Sequence, residues 1–148
     1  MDNTKRKKWK TISIIIVGMI TLILVGGILA SAPGRREIQN LVINSVNFNN
    51  LHDGTYVGEY KGTKDSFRNT QVEVTILGGK ISNIKILKGA LDKDGLPIEL
   101  ADGLTIEDLF GNVVKSQSLQ VDAISGATLT SKTHLKALEN ALKQAEID

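Results

Sequence analysis

The chain has 148 residues, with 18 Lys and Arg side chains against 16 Asp and Glu, and a formal net charge of +2. The charge is unevenly placed: residues 1–10 hold five basic and one acidic side chain, which leaves a balance of −2 for the remainder. The remainder has no basic surplus to attract nucleic acid, so no nucleic-acid partner is expected. The absence of cysteine from the sequence excludes disulfides, thiolate metal sites and a lipoprotein anchor.

The first predicted element is a membrane-spanning helix that follows a basic cytoplasmic tail, residues 1–10. The stretch 11–34 contains no charged side chain. A helix over residues 11–32 would be about 33 Å long, enough to cross a bilayer core of about 30 Å. Positive charge is concentrated before this span, and such an excess marks the cytoplasmic side. A single transmembrane helix in the cell membrane is therefore predicted, with the rest of the chain extracytoplasmic.

A cleaved signal peptide is the alternative interpretation of this apolar segment. Ala30-Ser31-Ala32 resembles a small-residue cleavage site. Pro33 would follow the cut, a position that signal peptidases tolerate poorly, and the apolar run is longer than the core of a usual signal peptide. We therefore favour an uncleaved anchor.

Residues 33–50 are predicted to be a juxtamembrane linker, either a short helix or a stalk. Ile38, Leu41 and Val42 are spaced as on one face of a helix. Asparagine recurs towards the end of this stretch and disfavours helix there. The folded domain is expected to begin after it, near Leu51.

The domain, residues 51–148, is predicted to open with three strands. Residues 55–60 have the composition of a strand, and residues 71–77 alternate apolar and polar side chains. Gly78-Gly79 is a turn pair suited to positive φ, and residues 80–87 follow it as the next strand. This pattern is typical of an antiparallel hairpin.

Two helices are predicted after the hairpin. A loop rich in glycine and aspartate covers residues 88–104, and Thr105 is placed to cap the helix that follows it. The last helix is predicted from position 131 or 132 to Ala145, with Thr130 or Ser131 as its N-cap. Strands and helices are mixed rather than regularly alternating. The predicted fold class is therefore α+β, a small antiparallel sheet with packed helices.

The loop from Asp122 to Ser131 places small and hydroxyl-bearing residues just before the last helix. Gly126 can adopt conformations closed to other residues, and it has no Cβ to block a ligand. Free backbone N–H groups at the start of a helix attract anions, so a phosphate near Thr128 would be well placed. The alternative is purely structural: a tight turn followed by an N-cap.

The run from Val121 to Ser131, with the sequence VDAISGATLTS, resembles the signature of the FMN-binding domain family. That family includes the C subunit of the sodium-pumping NADH:quinone reductase and the G subunit of the Rnf complex. Further similarity to the family lies in residues 53–58, 72–76, 79–81 and 116–118. The resemblance covers roughly residues 51–145.

The resemblance implies that FMN is the cofactor and that Thr128 is its covalent attachment site. In the family, a flavin transferase moves FMN from FAD onto the threonine that ends the Ser-Gly-Ala-Thr core. The product is a phosphothreonyl-FMN, in which the threonine oxygen is bonded to the flavin phosphate. A flavin transferase that uses FAD and Mg²⁺ is therefore an expected partner of this chain.

The same resemblance assigns five neighbouring residues to the cofactor site. Gly126 and Ala127 leave room for the phosphate, and Ser125 can donate a hydrogen bond to a phosphate oxygen. Thr130 either makes a similar contact or caps the helix. Asp122 assists the transferase or its Mg²⁺ or, alternatively, forms an Asx turn.

The flavin ring has no assigned contacts at this stage. Larger family members carry a Glu-Thr-Pro-Gly-Leu-Gly type segment near the ring, and the corresponding residues 89–97 lack it. Tyr56, Leu96 and Phe110 are candidate neighbours of the ring, but each fits a core position better. His134 lies in the first turn of the last helix and is expected to be a surface residue; the alternative is that it faces the motif and influences the flavin. The sequence has no recognised hydrolytic triad or metal-site pattern.

Together with the predicted anchor, the resemblance implies a membrane-anchored, extracytoplasmic flavoprotein domain that relays electrons. Such a domain is an electron-transfer component rather than a stand-alone enzyme. Its expected partners are membrane or extracytoplasmic redox proteins and the lipid bilayer. Two alternatives stay open: an anchored binding or structural module without flavin, and a subunit that binds FMN non-covalently.

Overall fold

The computed structural model describes residues 3–146. These residues form, in chain order, α1 (Asn3–Gln39), β1 (Gly54–Tyr60), β2 (Thr70–Leu77), β3 (Lys80–Lys88), α2 (Ile106–Ser116) and α3 (Thr128–Ala145). The strands make one antiparallel sheet in the order β1-β2-β3. This is the α+β class that the sequence predicts. The chain divides into two compact units, one ending at Pro33 and the other beginning at Gly34.

The first unit is the apolar part of α1, a helix long and apolar enough to cross a membrane. None of its most apolar window is buried. The hydroxyls of Ser13 and Thr21 donate to the carbonyl oxygens of Trp9 and Val17, one turn earlier, at 3.0 and 2.8 Å. Hydrogen bonds kept within the helix suit an apolar surrounding, because lipid tails offer polar groups no partners.

The hairpin between β2 and β3 forms as predicted. Gly78 and Gly79 have φ angles of 62° and 71°, the left-handed conformation that this tight turn requires. The carboxylate of Asp53 accepts hydrogen bonds from the N–H groups of both glycines, at 2.9 and 2.7 Å. These bonds, the one from Gly79 first, lower the pKa of Asp53. Asp53 therefore ties the hairpin turn to the start of β1.

The core of the second unit lies between the sheet and α3. Val72, Val74 and Ile76 alternate along β2 and are fully buried. Leu138 and Leu142, one turn apart on α3, are buried with them. Burial of each such side chain contributes about 1.5–3 kcal/mol relative to exposure. The apolar faces that the sequence shows on β2 and α3 are thus the two sides of one core.

A capping box at its start and a left-handed residue at its end set the bounds of α2. Thr105 caps it as predicted: its side chain accepts from the N–H of Asp108, whose carboxylate accepts from the N–H of Thr105 at 2.8 Å. Gln117 ends the helix with φ of 48°. Its side-chain oxygen accepts from the N–H of Ile81 at 2.8 Å, and its amide donates to the Ile81 carbonyl at 3.0 Å. These two bonds join α2 to β3, a contact that no local sequence pattern predicts.

The segment after α1 differs from its expected form. The helix continues through Pro33 and ends at Gln39, and residues 41–47 form neither helix nor strand. The helix considered between residues 33 and 50 therefore extends only to Gln39. Ile38 and Val46 are buried in the core of the second unit.

Lysine side chains of α3 hold the main chain of this extended segment. Lys132 Nζ donates to the carbonyl oxygens of Gln39 and Leu41, at 2.6 and 3.3 Å. Lys136 Nζ donates to the carbonyl oxygen of Val42 at 3.2 Å. These lysines satisfy carbonyl groups that would otherwise need backbone partners, so the segment can remain extended without helical hydrogen bonds.

Candidate functional site

The last helix begins earlier than the sequence predicts. Ala127 occupies its N-cap position without a capping side chain, so the prediction of Thr130 or Ser131 as the N-cap is wrong. The buried Ser131 hydroxyl instead accepts from the N–H of Ile124 and donates to the carbonyl oxygen of Ala127, both at 3.1 Å. This hydroxyl closes the preceding turn, and α3 therefore starts at Thr128.

Thr128 presents a free hydroxyl at the start of α3. Its side chain is exposed, and its hydroxyl makes no hydrogen bond within residues 3–146. In the same part of the chain, the backbone N–H groups of Thr128, Leu129 and Thr130 donate to no protein acceptor. Unpaired N–H groups at the positive end of a helix attract an anion. An exposed, unbonded hydroxyl and an anion-attracting helix end therefore coincide.

The loop that leads to Thr128 is built from small residues. Gly126 has φ of 79°, a left-handed conformation that favours glycine. A Cβ at this position would lie 3.4 Å from the Cβ of Ala101. Ser125 is exposed and Ala127 is half-buried. The structure thus brings the predicted residues 125–128 together at one helix end.

Asp122 lies at a different surface feature. It is exposed, and it lines a broad depression of about 470 Å³ beside Lys115, Ser116 and Gln120. Among residues 3–146 its carboxylate finds no hydrogen-bond partner, so the Asx turn considered from the sequence does not form there. Its carboxylate is available to a partner molecule, but it does not line the cavity described next.

A second concavity, of about 350 Å³, lies at the first turns of α3, and we call it the α3 cavity. Its volume is within the range of small-molecule sites. Apolar side chains, hydroxyls, one guanidinium and one imidazole line it, from Phe67, Arg68, Thr70, Gly89, Ala90, Ile98, Leu100, Thr130, Thr133 and His134. Thr130 links it to the motif, because it belongs to the first turn of the helix that starts at Thr128. The candidates Tyr56, Leu96 and Phe110 do not line it. Phe110 is buried in the core as predicted, whereas Leu96 is 61% exposed, so its predicted core position is wrong.

His134 is buried, so its expected position on the surface is wrong. Burial lowers its pKa to about 4, although a hydrogen bond to the carbonyl of Thr130 acts in the opposite direction. Nδ1 lies 2.8 Å from that carbonyl oxygen and must carry the proton, since the oxygen can only accept. Nε2 accepts from the N–H of Ala90 at 3.3 Å. The sequence does carry one signal for this burial: His134 is spaced by single helical turns from Leu138 and Leu142, which places it on the apolar face of α3.

These observations define a class of protein. The free hydroxyl and N–H groups at the start of α3 suit a phosphate, and the adjoining cavity, part apolar and part polar, suits a planar heterocycle. The residues present therefore fit a phosphate-bearing planar cofactor such as a flavin nucleotide, held on a small α+β domain.

The model of one protein family, described as the FMN-binding domain, matches residues 68–143. The match spans just over half of the sequence and includes β2, β3, α2, the motif and most of α3. The chain belongs to the FMN-binding domain family, and FMN is its cofactor.

The crystal structure of the CPE2226 protein from Clostridium perfringens is similar to this chain with a TM-score of 0.47 and 23% sequence identity. That similarity covers 64% of this chain and 88% of the other. No curated protein matches this chain.

Proposed function

We propose that this chain is a membrane-anchored flavoprotein domain that holds FMN covalently at Thr128 and relays electrons outside the cell membrane. The observation that carries the proposal is the exposed Thr128 hydroxyl at the first residue of α3, beside three unpaired N–H groups. A hydroxyl that capped the helix would have one lone pair engaged by a backbone N–H group, which would fix its orientation. Thr128 makes no such bond within residues 3–146, which leaves its oxygen available as an acceptor.

In the proposed attachment, Oγ1 of Thr128 attacks the phosphorus on the FMN side of FAD, bound with Mg²⁺ to a flavin transferase. The new oxygen–phosphorus bond forms as the pyrophosphate bond breaks, adenosine monophosphate leaves, and the hydroxyl proton passes to a base or to solvent. No electron donor or acceptor is consumed. The N–H groups of Leu129 and Thr130 are then available to the negative phosphate, and the dipole of α3 strengthens their attraction.

The neighbours of the acceptor threonine are assigned supporting roles. Gly126 and Ala127 leave the approach to the hydroxyl unobstructed, and the exposed Ser125 hydroxyl is able to donate to a phosphate oxygen. Thr130 is assigned a contact on the side of the α3 cavity. Asp122, exposed beside the end of α2, is assigned a contact with the transferase or its Mg²⁺.

Electron relay follows from the chemistry of the cofactor and the position of the cavity. FMN, when bound, supplies reversible transfer of one or two electrons. We assign its ring to the α3 cavity, which lies beside the motif and opens to solvent. One membrane or extracytoplasmic redox protein would reduce the domain and another would oxidise it. A covalent bond would prevent loss of the cofactor where free FMN is scarce.

The proposed location rests on α1. This helix is apolar enough to cross a membrane, and the basic residues precede its apolar part. We infer that the N-terminus is cytoplasmic and the second unit extracytoplasmic, because the side of a membrane helix that is richer in Lys and Arg stays in the cytoplasm. Trp9, with 75% of its surface exposed, suits the headgroup boundary.

Mass spectrometry tests the attachment site directly. The full-length chain, co-expressed with a flavin transferase, is digested with trypsin, which cleaves after Lys115 and Lys132. The released peptide 116–132 contains every hydroxyl of the motif. We expect it to carry the mass of FMN less one water, with fragment ions that place the addition on Thr128.

Two results would contradict the assignment. One is an unmodified peptide although the transferase modifies a control substrate, and the other is FMN on a different residue. An unmodified peptide from a protein that releases flavin on denaturation would favour the non-covalent alternative.

A further inference from the structure

We propose that Arg68, with the ring of Phe67 beside it, contacts the flavin ring in the α3 cavity and raises the reduction potential of the bound FMN. This inference rests on the proposed function, because it takes the ring to occupy that cavity. Both residues lie outside the attachment motif. They belong to the connection between β1 and β2, residues 61–69, which we call the rim loop.

The first argument is the charge of the cavity. Among the described residues that line it, Arg68 is the only one with a charged side chain. Arg68 is half-buried and forms no ion pair within residues 3–146. The other titratable group there, His134, is neutral near pH 7 because burial lowers its pKa to about 4. The cavity therefore offers one fixed positive charge to its occupant.

The second argument is the exposed aromatic ring at the edge of the cavity. Phe67 is 85% exposed, although burial of a phenylalanine is worth about 1.5–3 kcal/mol. The guanidinium carbon of Arg68 lies 5.4 Å from the centroid of the Phe67 ring. An aromatic ring and a planar guanidinium provide surfaces on which a planar heterocycle can stack. A bound ring would also remove part of Phe67 from water.

The third argument is that hydrogen bonds hold the rim loop in place. The carboxylate of Glu37 accepts from the N–H groups of Thr63 and Lys64, at 2.9 and 3.0 Å. The hydroxyl of Thr70 donates to the carbonyl oxygen of Arg68 at 3.2 Å. The backbone of Arg68 is thus fixed at the cavity, which reduces the entropy lost when its side chain meets a ligand.

The charge and its position determine the direction of the effect. Reduction near neutral pH leaves negative charge on the pyrimidine side of a flavin ring. A guanidinium in contact with that edge binds the reduced form more tightly than the oxidised form, because a charge-assisted hydrogen bond is stronger than one to a neutral group. Tenfold tighter binding of the reduced form raises the midpoint potential of a two-electron couple by about 30 mV.

Spectroelectrochemical titration of the flavinylated full-length chain tests this inference. The variants are Arg68→Gln, Arg68→Lys and, as a matched control, Lys64→Gln. Lys64 belongs to the same rim loop and carries the same charge, but it is exposed and does not line the cavity. We expect Arg68→Gln to weaken the preference for the reduced form at least tenfold, which lowers the midpoint potential by about 30 mV or more.

The other variants decide whether contact or general charge is responsible. Arg68→Lys is expected to retain most of the potential, and Lys64→Gln to change the preference for the reduced form less than twofold. Equal shifts in Arg68→Gln and Lys64→Gln would overturn the proposal, since they would show an effect of net charge alone. A shift in Arg68→Lys as large as in Arg68→Gln would also overturn it.

A second measurement separates this inference from the proposed covalent attachment. Attachment is read first, by flavin fluorescence on a denaturing gel. If Thr128 is not modified, the same full-length variants are titrated anaerobically with reduced riboflavin, which has the ring but no phosphate. Calorimetry is expected to show at least tenfold weaker binding for Arg68→Gln than for Lys64→Gln. Equal affinities, or no saturable binding by the unsubstituted chain, would overturn the proposal.

Discussion

Asn44 and Glu139, 95 residues apart in the chain, are joined by two hydrogen bonds. The backbone N–H and the side-chain amide of Asn44 donate to the two carboxylate oxygens of Glu139, at 3.0 and 2.9 Å. Lys136 and Lys143 pair with the same carboxylate at 2.8 and 2.6 Å. Burial raises the pKa of Glu139, but the hydrogen bonds from the two lysines and Asn44 outweigh it and lower the pKa to about 2. One buried charge therefore fastens the extended segment after α1 to α3.

Removal of that charge should destabilise the domain. We expect Glu139→Gln to lower the free energy of unfolding by about 3 kcal/mol at pH 7, because an amide cannot replace the charge of the buried carboxylate that the two lysines and Asn44 share. Urea unfolding measures the change. Glu59→Gln is the control: its pair with Lys61 is exposed, so a loss below about 1 kcal/mol is expected. Similar losses in the two variants would contradict this account of Glu139.

The same carboxylate should contribute to acid unfolding. Its pKa of about 2 in the folded chain lies below the ordinary 4.5, so the unfolded chain takes up the proton first as the pH falls. The stabilisation is fully present above pH 4.5 and is lost as the pH falls towards 2, by about 3 kcal/mol in total. Urea unfolding at several pH values should show a weaker acid dependence in Glu139→Gln. An unchanged dependence in this window would be evidence against the lowered pKa.

His134 should produce a separate pH dependence at higher pH. Its pKa falls from the ordinary 6.5 to about 4 in the folded chain, so between these values the unfolded chain binds more protons. Stability is therefore lost as the pH falls from 6.5 towards 4, by about 3 kcal/mol over the window. We expect His134→Gln to abolish this dependence and His52→Gln, a change at an exposed histidine, to preserve it. If only His52→Gln abolished the pH dependence, His52 and not His134 would be its source, which would contradict this prediction.

Much of the fold is predictable from the sequence, because its signals are local. The turn at Gly78-Gly79 requires positive φ, and alternation along residues 71–77 marks a buried face. Thr105 and Asp108 cap α2 across a single turn. Each of these features depends on residues no more than a few positions apart, so composition and spacing suffice to find them.

The remaining features depend on contacts between distant parts of the chain. The extended form of residues 41–47 depends on side chains of α3 such as Glu139. The burial of His134 depends on the backbone of Ala90, 44 positions away. The α3 cavity combines the rim loop with two later segments. The motif around Thr128 is visible in the sequence because its residues are consecutive, whereas the residues that line the cavity come from separate segments and form no local pattern.

Gly126 provides a test of the approach to the acceptor hydroxyl. Alanine there should cost about 1 kcal/mol of stability, because φ of 79° is strained for any residue with a Cβ. Gly95→Ala is a matched control, since φ at Gly95 is 78° and a Cβ would meet open space. We expect similar losses of stability in urea unfolding, but slower flavin attachment in Gly126→Ala alone. Equal attachment rates would show that the loop at Gly126 has no role in modification.

Membrane topology can be measured with single cysteines, because the natural sequence has none. Cysteine is introduced at Asn3 in one variant and at the exposed Gln120 in another. A membrane-impermeant maleimide added to intact cells is expected to label the variant at position 120 only, and permeabilised cells should label both. Labelling at position 3 but not 120 in intact cells would reverse the proposed orientation. Release of the chain by alkaline carbonate would contradict membrane anchoring.

Covalent attachment at Thr128 is the central claim. The full-length chain, Thr128→Ala and Thr130→Ala are each co-expressed with a flavin transferase, separated on a denaturing gel and scanned for flavin fluorescence. The two variants make the same change within the first turn of α3, so a general effect on that helix should appear in both. We predict a fluorescent band in the unsubstituted chain and in Thr130→Ala, and none in Thr128→Ala. A fluorescent band in Thr128→Ala, or no band in any of the three when a control substrate is modified, would contradict the account.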